Sequence, residues 1–472
     1  MHNMKQYNSK TLLSIGLILL TSCAVGPNYK APEMQMPEAY STNLTTEDKQ
    51  ISDKTEEQWW KSFNDEILFK LLCTALEENK TVKQAINRID QSRALYRVST
   101  SDLYPGAIVQ SAVEKSEVTG ARFPGGDSSE GFTYKVYSGS IDALWEIDLF
   151  GRLRREVESR KADFSASLAK FEDLQRMLLS EVALEYFNLR ALQAELQILE
   201  KNIDNQMQLV NLARNKLNLG VASELDVLQS GIELRSARAT IPTVKANITV
   251  SKNRLAILLG KFPDELKETL SDVQAIPVSQ NIPEIRNPEE LLKNRPDIKA
   301  AERNLAAANA QIGVATAERF PKITFEGSFG IESTTFKDWA DGEQTFRFGP
   351  RLSWAIIDLG RIRSQIKVQE ARTRELLNVY EETVLKAFED VENSLTRYSA
   401  ELQRIAELEA AYKDAQRGYE IAQAQYNEGI SDILLALEAQ RTLLNSENQL
   451  NKSKQALSSN LVGVYKALGG SW

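Results

Sequence analysis

Apolar and polar side chains alternate along four short stretches of the chain. The alternation is clear in residues 322–332, 346–356 and 132–136, and only partial in residues 107–117. A period of two predicts β-strands with one apolar and one polar face. At roughly ten residues, the two clearest stretches have the length of strands that cross a membrane. A half-buried hairpin of a soluble protein gives the same pattern, so the strands alone leave both interpretations open.

Downstream of each pair of strands, the apolar positions recur in steps of three and four. In the second half of the chain this seam runs from Phe388 to Tyr426, and the first half carries it in the same register from Leu189 to Leu217. Such steps predict helices that pack along a heptad seam. Because no Pro or Gly interrupts Arg361 to Arg417, we predict one helix over residues 361–427. Its length would be about 100 Å.

Each long helix is predicted to turn back on itself. Gly429 ends the second long helix, and Ser431 or Asp432 can cap the helix that returns. In the first half, Gly220 turns the chain and Ser223 caps the return. Each half therefore contains a long helical hairpin.

The two halves of the chain are copies of one another. Residues 145–154 and 354–363 both read Trp, five residues and then Gly-Arg-[Leu/Ile]-Arg, at an offset of 209. Upstream the offset is 216, which carries residues 104–105 (Tyr-Pro) onto residues 320–321 (Phe-Pro). The difference of seven residues falls in the loop between the paired strands, where a change of length is tolerated. The pattern indicates a duplicated unit of a helix, a strand hairpin and a long helical hairpin.

One chain offers four strands, which are too few to close a barrel. Open strand edges are not tolerated in hydrocarbon. If the strands lie in a membrane, association is the physical remedy, and three copies would supply twelve strands. The sequence then predicts a homotrimer.

The first twenty-two residues have the character of a secretion signal. Lys5 and Lys10 flank a polar start, and residues 11–20 form an apolar run that is too short to span a bilayer. The run ends in Leu-Thr-Ser before Cys23, which resembles the lipobox of bacterial lipoproteins. We therefore expect Cys23 to carry lipid, and Ala24 after it favours sorting to the outer membrane.

Charge and composition exclude several classes of function. The chain has 57 Lys and Arg against 65 Asp and Glu, and loss of two lysines with the leader takes the net charge from −8 to −10. This acidic balance argues against nucleic acid as a partner. The single histidine is His2, inside the leader, so the remaining chain has no imidazole for acid–base chemistry or metal binding. No phosphate-binding glycine loop is present. We predict no catalytic residues, no metal, no cofactor and no enzyme activity.

Three further motifs point to a family. Residues 23–32 read CAVGPNYKAP, residues 59–65 read WWKSFND, and residues 295–298 read RPDI. In this order and spacing, they resemble the outer membrane factor family of TolC-like efflux channels, in particular its lipoprotein branch. The resemblance covers nearly the whole chain after the leader. It implies a mainly α fold with a transmembrane β-barrel, in which a trimer forms a 12-stranded β-barrel on a 12-helix α-barrel.

The resemblance also implies a division of the chain. We predict a signal peptide (1–22), a lipid-anchored N-terminal segment and equatorial belt (23–60), a first repeat (61–260), an equatorial linker (261–287) and a second repeat (288–469). The strand hairpins are placed at about 104–147 and 321–357, and the long helical hairpins at about 152–260 and 361–468.

In function, the resemblance implies the exit duct of a tripartite efflux pump, lipid-anchored in the outer membrane and extending into the periplasm. Its partners would be a periplasmic adaptor protein, an inner-membrane pump and outer-membrane lipid. The family pattern assigns a periplasmic gate to Leu434, Glu438, Asp226 and Tyr426. It assigns adaptor contacts to the two helical turns, Gly220, Val221, Ala222 and Ser223 in the first and Gly429, Ile430 and Ser431 in the second.

The gate departs from the family pattern at two positions. Leu435 stands where one pattern has an acid, and Ser431 stands where another has a basic residue. An ion pair of the family gate is therefore missing from the sequence. Two alternatives to an efflux duct remain: a one-step protein secretion channel of the same fold, and a non-pore periplasmic coiled-coil lipoprotein scaffold.

Overall fold

The computed structural model describes residues 24–41, 59–118, 132–266, 270–279, 285 and 287–469. The first copy contains α1 (Glu66–Glu78), α2 (Lys80–Ser101), β1 (Gly106–Val118), β2 (Phe132–Ile147), α3 (Arg152–Asn218) and α4 (Glu224–Leu258). The second copy contains α5 (Glu289–Asn294), α6 (Pro296–Ala317), β3 (Lys322–Ser333), β4 (Glu343–Ser353), α7 (Leu359–Asn427) and α8 (Ile433–Leu468). Among the described residues, no helix combines the length and apolar character needed to cross a bilayer.

A matching hydrogen bond ties the landmark tryptophan of each copy to the end of the preceding helix. The indole Nε1 of Trp145 donates to the carbonyl oxygen of Leu103 at 3.0 Å. The indole of Trp354 donates to the carbonyl oxygen of Arg319, also at 3.0 Å. The acceptors are related by the offset of 216 and the donors by 209, so the duplication extends to individual contacts.

The four strands form one antiparallel sheet in the order β1-β2-β3-β4. Because side chains at directly opposed positions share a face, the register defines rows across the sheet. One row is apolar and runs Val109, Ile141, Phe329 and Phe346. The adjacent row runs Gln110, Ser140, Gly330 and Thr345. All four side chains of the apolar row are exposed, up to 85% for Phe346. Within this chain the sheet buries neither its apolar row nor its outer strand edges.

The described residues cluster into two compact units, and each unit draws segments from both copies. One unit holds the strands together with residues 24–33, α2 from residue 88, the start of α3, α6 from residue 300, and the start of α7. The other holds the remaining parts of the long helices, α1, α4, α5, α8 and the linker. The segment boundaries predicted from the sequence stay a prediction.

Two helices have the lengths that the heptad seam predicts. Helix α3 contains 67 residues and α7 contains 69, each followed by an antiparallel partner. Along the first hairpin, Leu199 and Ile203 of α3 pack against Val244 of α4. Helix α4 continues through Pro242, although proline usually disrupts a helix. Its apolar neighbours Ile241 and Ile248 pack in the same cluster, which fixes the helix there.

The motif at residues 59–65 forms an aromatic core. Trp59 stacks on Tyr465 of α8, with ring centroids 5.8 Å apart, and Phe63 packs against Phe187 of α3 at 5.1 Å. Asp65 caps α1 by accepting from the backbone nitrogen of Leu68. The segment that precedes α1 is thus packed against helices from both copies.

The RPD motif forms an ionic network around the buried side chain of Arg295. The guanidinium of Arg295 contacts the carboxylates of Asp297 at 2.7 Å and Asp390 at 3.0 Å, and it donates to the carbonyl oxygen of Ala467 at 3.0 Å. Burial raises the pKa of Asp297, but the hydrogen bond and charge of Arg295 and the charge of Arg176 outweigh it, so this pKa lies below its ordinary value. Because Arg295 satisfies a carbonyl at the end of α8, it joins the start of α6 to that helix terminus.

Candidate functional site at the helical turns

Both helical turns use a glycine in the left-handed region. Gly220 has φ +73° and Gly429 has φ +78°, a conformation that favours glycine. After the first turn, Ser223 caps α4 and exchanges hydrogen bonds with Asp226 in a capping box. After the second turn, Asp432 caps α8 by accepting from the backbone nitrogen of Leu435. The predicted Ser223 cap is confirmed, and at the second turn Asp432 is the residue that caps.

The turns present apolar side chains to solvent. Val221 and Ile430, at matching positions of the two copies, are each 70% exposed. Neither glycine has a neighbour that an added Cβ would touch. Exposed apolar side chains at both turns are the kind of surface that a protein partner buries. The assignment of these turns to adaptor binding stays a prediction.

Below the turns, the two helical hairpins share one small core. Helix α3 contributes Leu209 and Ala213, α7 contributes Tyr426, and α8 contributes buried apolar side chains of its first turns. Those side chains are Ile433, Ala436 and Leu437. The tips of the first and second copies are therefore packed together within one chain.

Lys216 is a part of this site that the sequence reasoning missed. Its ammonium lies 4.2 Å from the ring centroid of Tyr426 and donates a hydrogen bond to the Tyr426 carbonyl oxygen. That carbonyl belongs to the last turn of α7 and also accepts from the backbone nitrogen of Gly429 at 3.2 Å. One lysine of the first copy therefore binds both the ring and the backbone of the second copy. A lysine within a heptad helix is usually a solvated charge, so only the three-dimensional contact identifies it.

Asp226 and Tyr426 lie near one another, as the family pattern implies, but they do not share a hydrogen bond. The Asp226 carboxylate accepts from the backbone nitrogen of Ser223 at 2.9 Å. Tyr426 is only 4% exposed, and its hydroxyl has no partner. Burial first, and the charge of Asp226 second, raise the pKa of the Tyr426 hydroxyl. The tyrosine therefore stays a neutral phenol with an unused donor beside a carboxylate.

Leu434 and Glu438 occupy the same face of α8, four residues apart, and both are exposed. The Glu438 carboxylate forms an ion pair with Arg441 at 2.6 Å, a partner that the sequence reasoning did not include. This neighbour offsets part of any negative charge that Glu438 presents. The gate roles of Leu434, Glu438, Asp226 and Tyr426 stay predictions.

Two further predictions, the acylation of Cys23 and the absence of a bound metal, stay predictions. Cys23 lies outside the described residues. Among the residues that are described, no group of three or more His, Cys, Asp and Glu side chains is arranged to hold a metal ion.

Comparisons with known proteins identify the fold and the family. The family described as "Outer membrane efflux protein" matches residues 71–261 and 287–470. Nodulation protein T of Rhizobium leguminosarum bv. trifolii is 30% identical, with 93% of this chain and 92% of that protein covered. The solvent efflux pump outer membrane protein SrpC of Pseudomonas putida is 30% identical, with 98% of both chains covered.

Solved structures agree with the sequence comparison. The outer-membrane channel OprN superposes with a TM-score of 0.87 at 31% identity, covering 95% of this chain and 99% of OprN. The open-state MtrE outer membrane channel of Neisseria gonorrhoeae has a TM-score of 0.82 at 25% identity, with 95% and 98% covered. The predicted TolC-like fold, outer-membrane location and efflux-channel function are confirmed. By sequence and by structure, the chain belongs to the outer membrane efflux protein family.

Proposed function

We propose that three copies of this chain form the exit duct of a tripartite efflux pump. The duct conducts substrates passively and without chemical change, so the protein is not an enzyme. A periplasmic adaptor docks at the turns around Gly220 and Gly429, and an inner-membrane pump supplies the energy. The observation that carries the proposal is the exposed apolar row of the sheet, Val109, Ile141, Phe329 and Phe346.

The physics of a bilayer explains why this row supports a trimer. Large contiguous apolar patches are rare on monomeric proteins in water but are required on the lipid side of a membrane strand. Strands β1 and β4 each have only one neighbour in the sheet, which leaves two edges with unpaired backbone groups. In hydrocarbon such edges must pair, and pairing β4 of one copy with β1 of the next closes a ring of twelve strands.

Small organic molecules are the substrates we propose. The relatives are named as outer membrane proteins of solvent, toluene and antibiotic efflux pumps. The chain itself carries no feature that selects one compound among these. We also propose that Cys23 is acylated, because it follows a lipobox-like segment, and the intact mass of protein extracted from membranes tests this.

A paired variant tests the lipid face and the export role together. Phe346→Asp places a charge on the apolar row, and we expect it to block membrane insertion, because a charge on the lipid face of a membrane strand is destabilising. Arg347→Asp, one residue away on the polar face, should insert normally. Cells that lack the gene should accumulate a fluorescent cationic dye. The wild type and Arg347→Asp should restore export, whereas Phe346→Asp should not.

Other outcomes would select the alternatives. If dye accumulation is unchanged by deletion while a secreted protein disappears from the medium, the chain is a protein secretion channel. If Phe346→Asp and Arg347→Asp behave identically and the protein leaves the membrane in a carbonate wash, a scaffold without a pore replaces our proposal.

A further inference from the structure

The segment that follows Cys23 is held against the fold by close backbone contacts. The backbone nitrogen of Val25 donates to the carbonyl oxygen of Phe150 at 3.1 Å. Ala24 lies against Gly151, where an added Cβ would come within 2.5 Å of the alanine Cβ. Gly26 has φ +90° and approaches Gly313 so closely that a Cβ on Gly26 would lie 2.5 Å from the Gly313 Cα. Side chains larger than hydrogen are excluded at these points.

Arg155 of α3 binds this segment through its buried guanidinium. Its Nε donates to the carbonyl oxygen of Val25 at 3.1 Å, and its Nη2 donates to the side-chain oxygen of Asn28 at 2.8 Å. The same nitrogen donates to the carbonyl oxygen of Gly26 at 3.3 Å, while Nη1 pairs with Glu158 at 2.7 Å. Arg155 is 4% exposed, so its charge is compensated almost entirely by these partners.

Helix α6, from the second copy, provides the opposite wall. Asn309 donates to the carbonyl oxygen of Pro27 at 3.1 Å. The Tyr29 hydroxyl donates to the Glu302 carboxylate at 2.6 Å, and the guanidinium of Arg303 lies 6.0 Å from the Tyr29 ring centroid. The segment is therefore bound by both copies at once.

The two copies differ at the residues that make these contacts. The offset of 209 places Ser364 in the second copy where the first has Arg155. The offset of 216 places Arg97 in the first copy where the second has Gly313, and Ile86 where it has Glu302. Gly360, the counterpart of Gly151, has no neighbour within contact distance of an added Cβ. The two copies thus differ in sequence at the surface that contacts residues 24–29, a segment that is not duplicated.

We infer that Arg155, Gly313 and Glu302 form a docking site specialised for residues 24–29, in which Arg155 is the positioning residue. The site holds Ala24 beside Gly151, at the junction between β2 and α3. The docking site itself does not depend on acylation of Cys23. One consequence rests on that proposed acylation: the docking site determines where the acyl chain enters the membrane.

Hydrogen exchange read by mass spectrometry tests the inference on the purified full-length trimer. In the wild type, the peptide covering residues 24–31 should be protected. Arg155→Met should accelerate its exchange by about tenfold or more, because the three hydrogen bonds from one buried guanidinium to this segment are lost. Arg155→Lys should fail to rescue, since one ammonium cannot reproduce the fork of donors. Arg361→Met, which removes an exposed arginine of the second-copy landmark, is the matched control.

A second variant guards against general unfolding. Gly313→Arg restores the first-copy residue on α6 and should displace the segment, while peptides of α3 and α7 keep their protection. Unchanged exchange of residues 24–31 in both Arg155→Met and Gly313→Arg would overturn the inference. Hydrogen exchange does not depend on whether the trimer conducts. Failure of the proposed channel function can therefore be distinguished from failure of the docking site.

Discussion

Replacing Lys216 with methionine should loosen the periplasmic end of the channel and raise its conductance in single-channel recordings. The substitution removes the ammonium from the Tyr426 ring and leaves the Tyr426 carbonyl oxygen with the backbone nitrogen of Gly429 as its remaining donor. A cation–π contact and a charge-assisted hydrogen bond together contribute about 2 kcal/mol. If they hold the tips of the two copies together in the closed state, the ratio of open to closed channels should rise by roughly tenfold or more.

Two variants separate this effect from general destabilisation. Lys216→Arg keeps a cation with donors and should gate like the wild type, whereas Lys245→Met removes a lysine from the middle of α4 and should change nothing. Equal conductance of Lys216→Met and wild type, at equal thermal stability, would exclude Lys216 as a restraint.

Arg295→Met should produce the largest loss of stability. The variant leaves the Asp297 carboxylate, itself partly buried, without its principal partner and removes the donor to the Ala467 carbonyl. Breaking a buried ion pair by removing one partner costs about 3 kcal/mol. The thermal unfolding midpoint of the trimer, followed by circular dichroism, should fall by several degrees relative to wild type.

The control for this prediction lies two residues away. Lys293→Met removes an exposed charge of α5 and should leave the thermal unfolding midpoint unchanged within error.

The pH dependence of stability gives a second check. Because the pKa of Asp297 is lowered in the folded state, the stabilising contribution of this carboxylate is complete above about pH 4 and is lost at lower pH. An unaltered midpoint for Arg295→Met would show that the RPD network does not hold the end of α8.

Local patterns in the sequence were sufficient for the elements and the duplication. Alternation with a period of two predicted the strands, the heptad seam predicted α3 and α7, and Gly220 and Gly429 predicted the turns. Each of these signals depends only on residues that are close together in the sequence. The alternation that continues to Ile356 overstated β4, which ends at Ser353. Directly after Ser353, the indole of Trp354 donates a hydrogen bond to the carbonyl oxygen of Arg319.

Contacts between distant positions were beyond these patterns. Lys216 and Tyr426 are separated by 210 residues, and nothing in either heptad distinguishes that lysine from a solvated one. The ion pair of Glu438 with Arg441 joins residues that are close in the sequence. Its effect on ion selectivity, however, depends on which face of α8 lines a pore. The same holds for Arg155: the mismatch with Ser364 at the offset of 209 is one of several, and only the contacts of Arg155 with residues 25–28 distinguish it.

Single-channel recording in planar bilayers tests the central claim most directly. The purified trimer should give discrete conductance steps that prefer cations. Glu438→Gln should reduce the cation preference, and Arg441→Gln should increase it, because that arginine compensates the carboxylate. A trimer that inserts into the bilayer yet gives no steps in wild type, Lys216→Met or Glu438→Gln would contradict the assignment of this chain as an export channel.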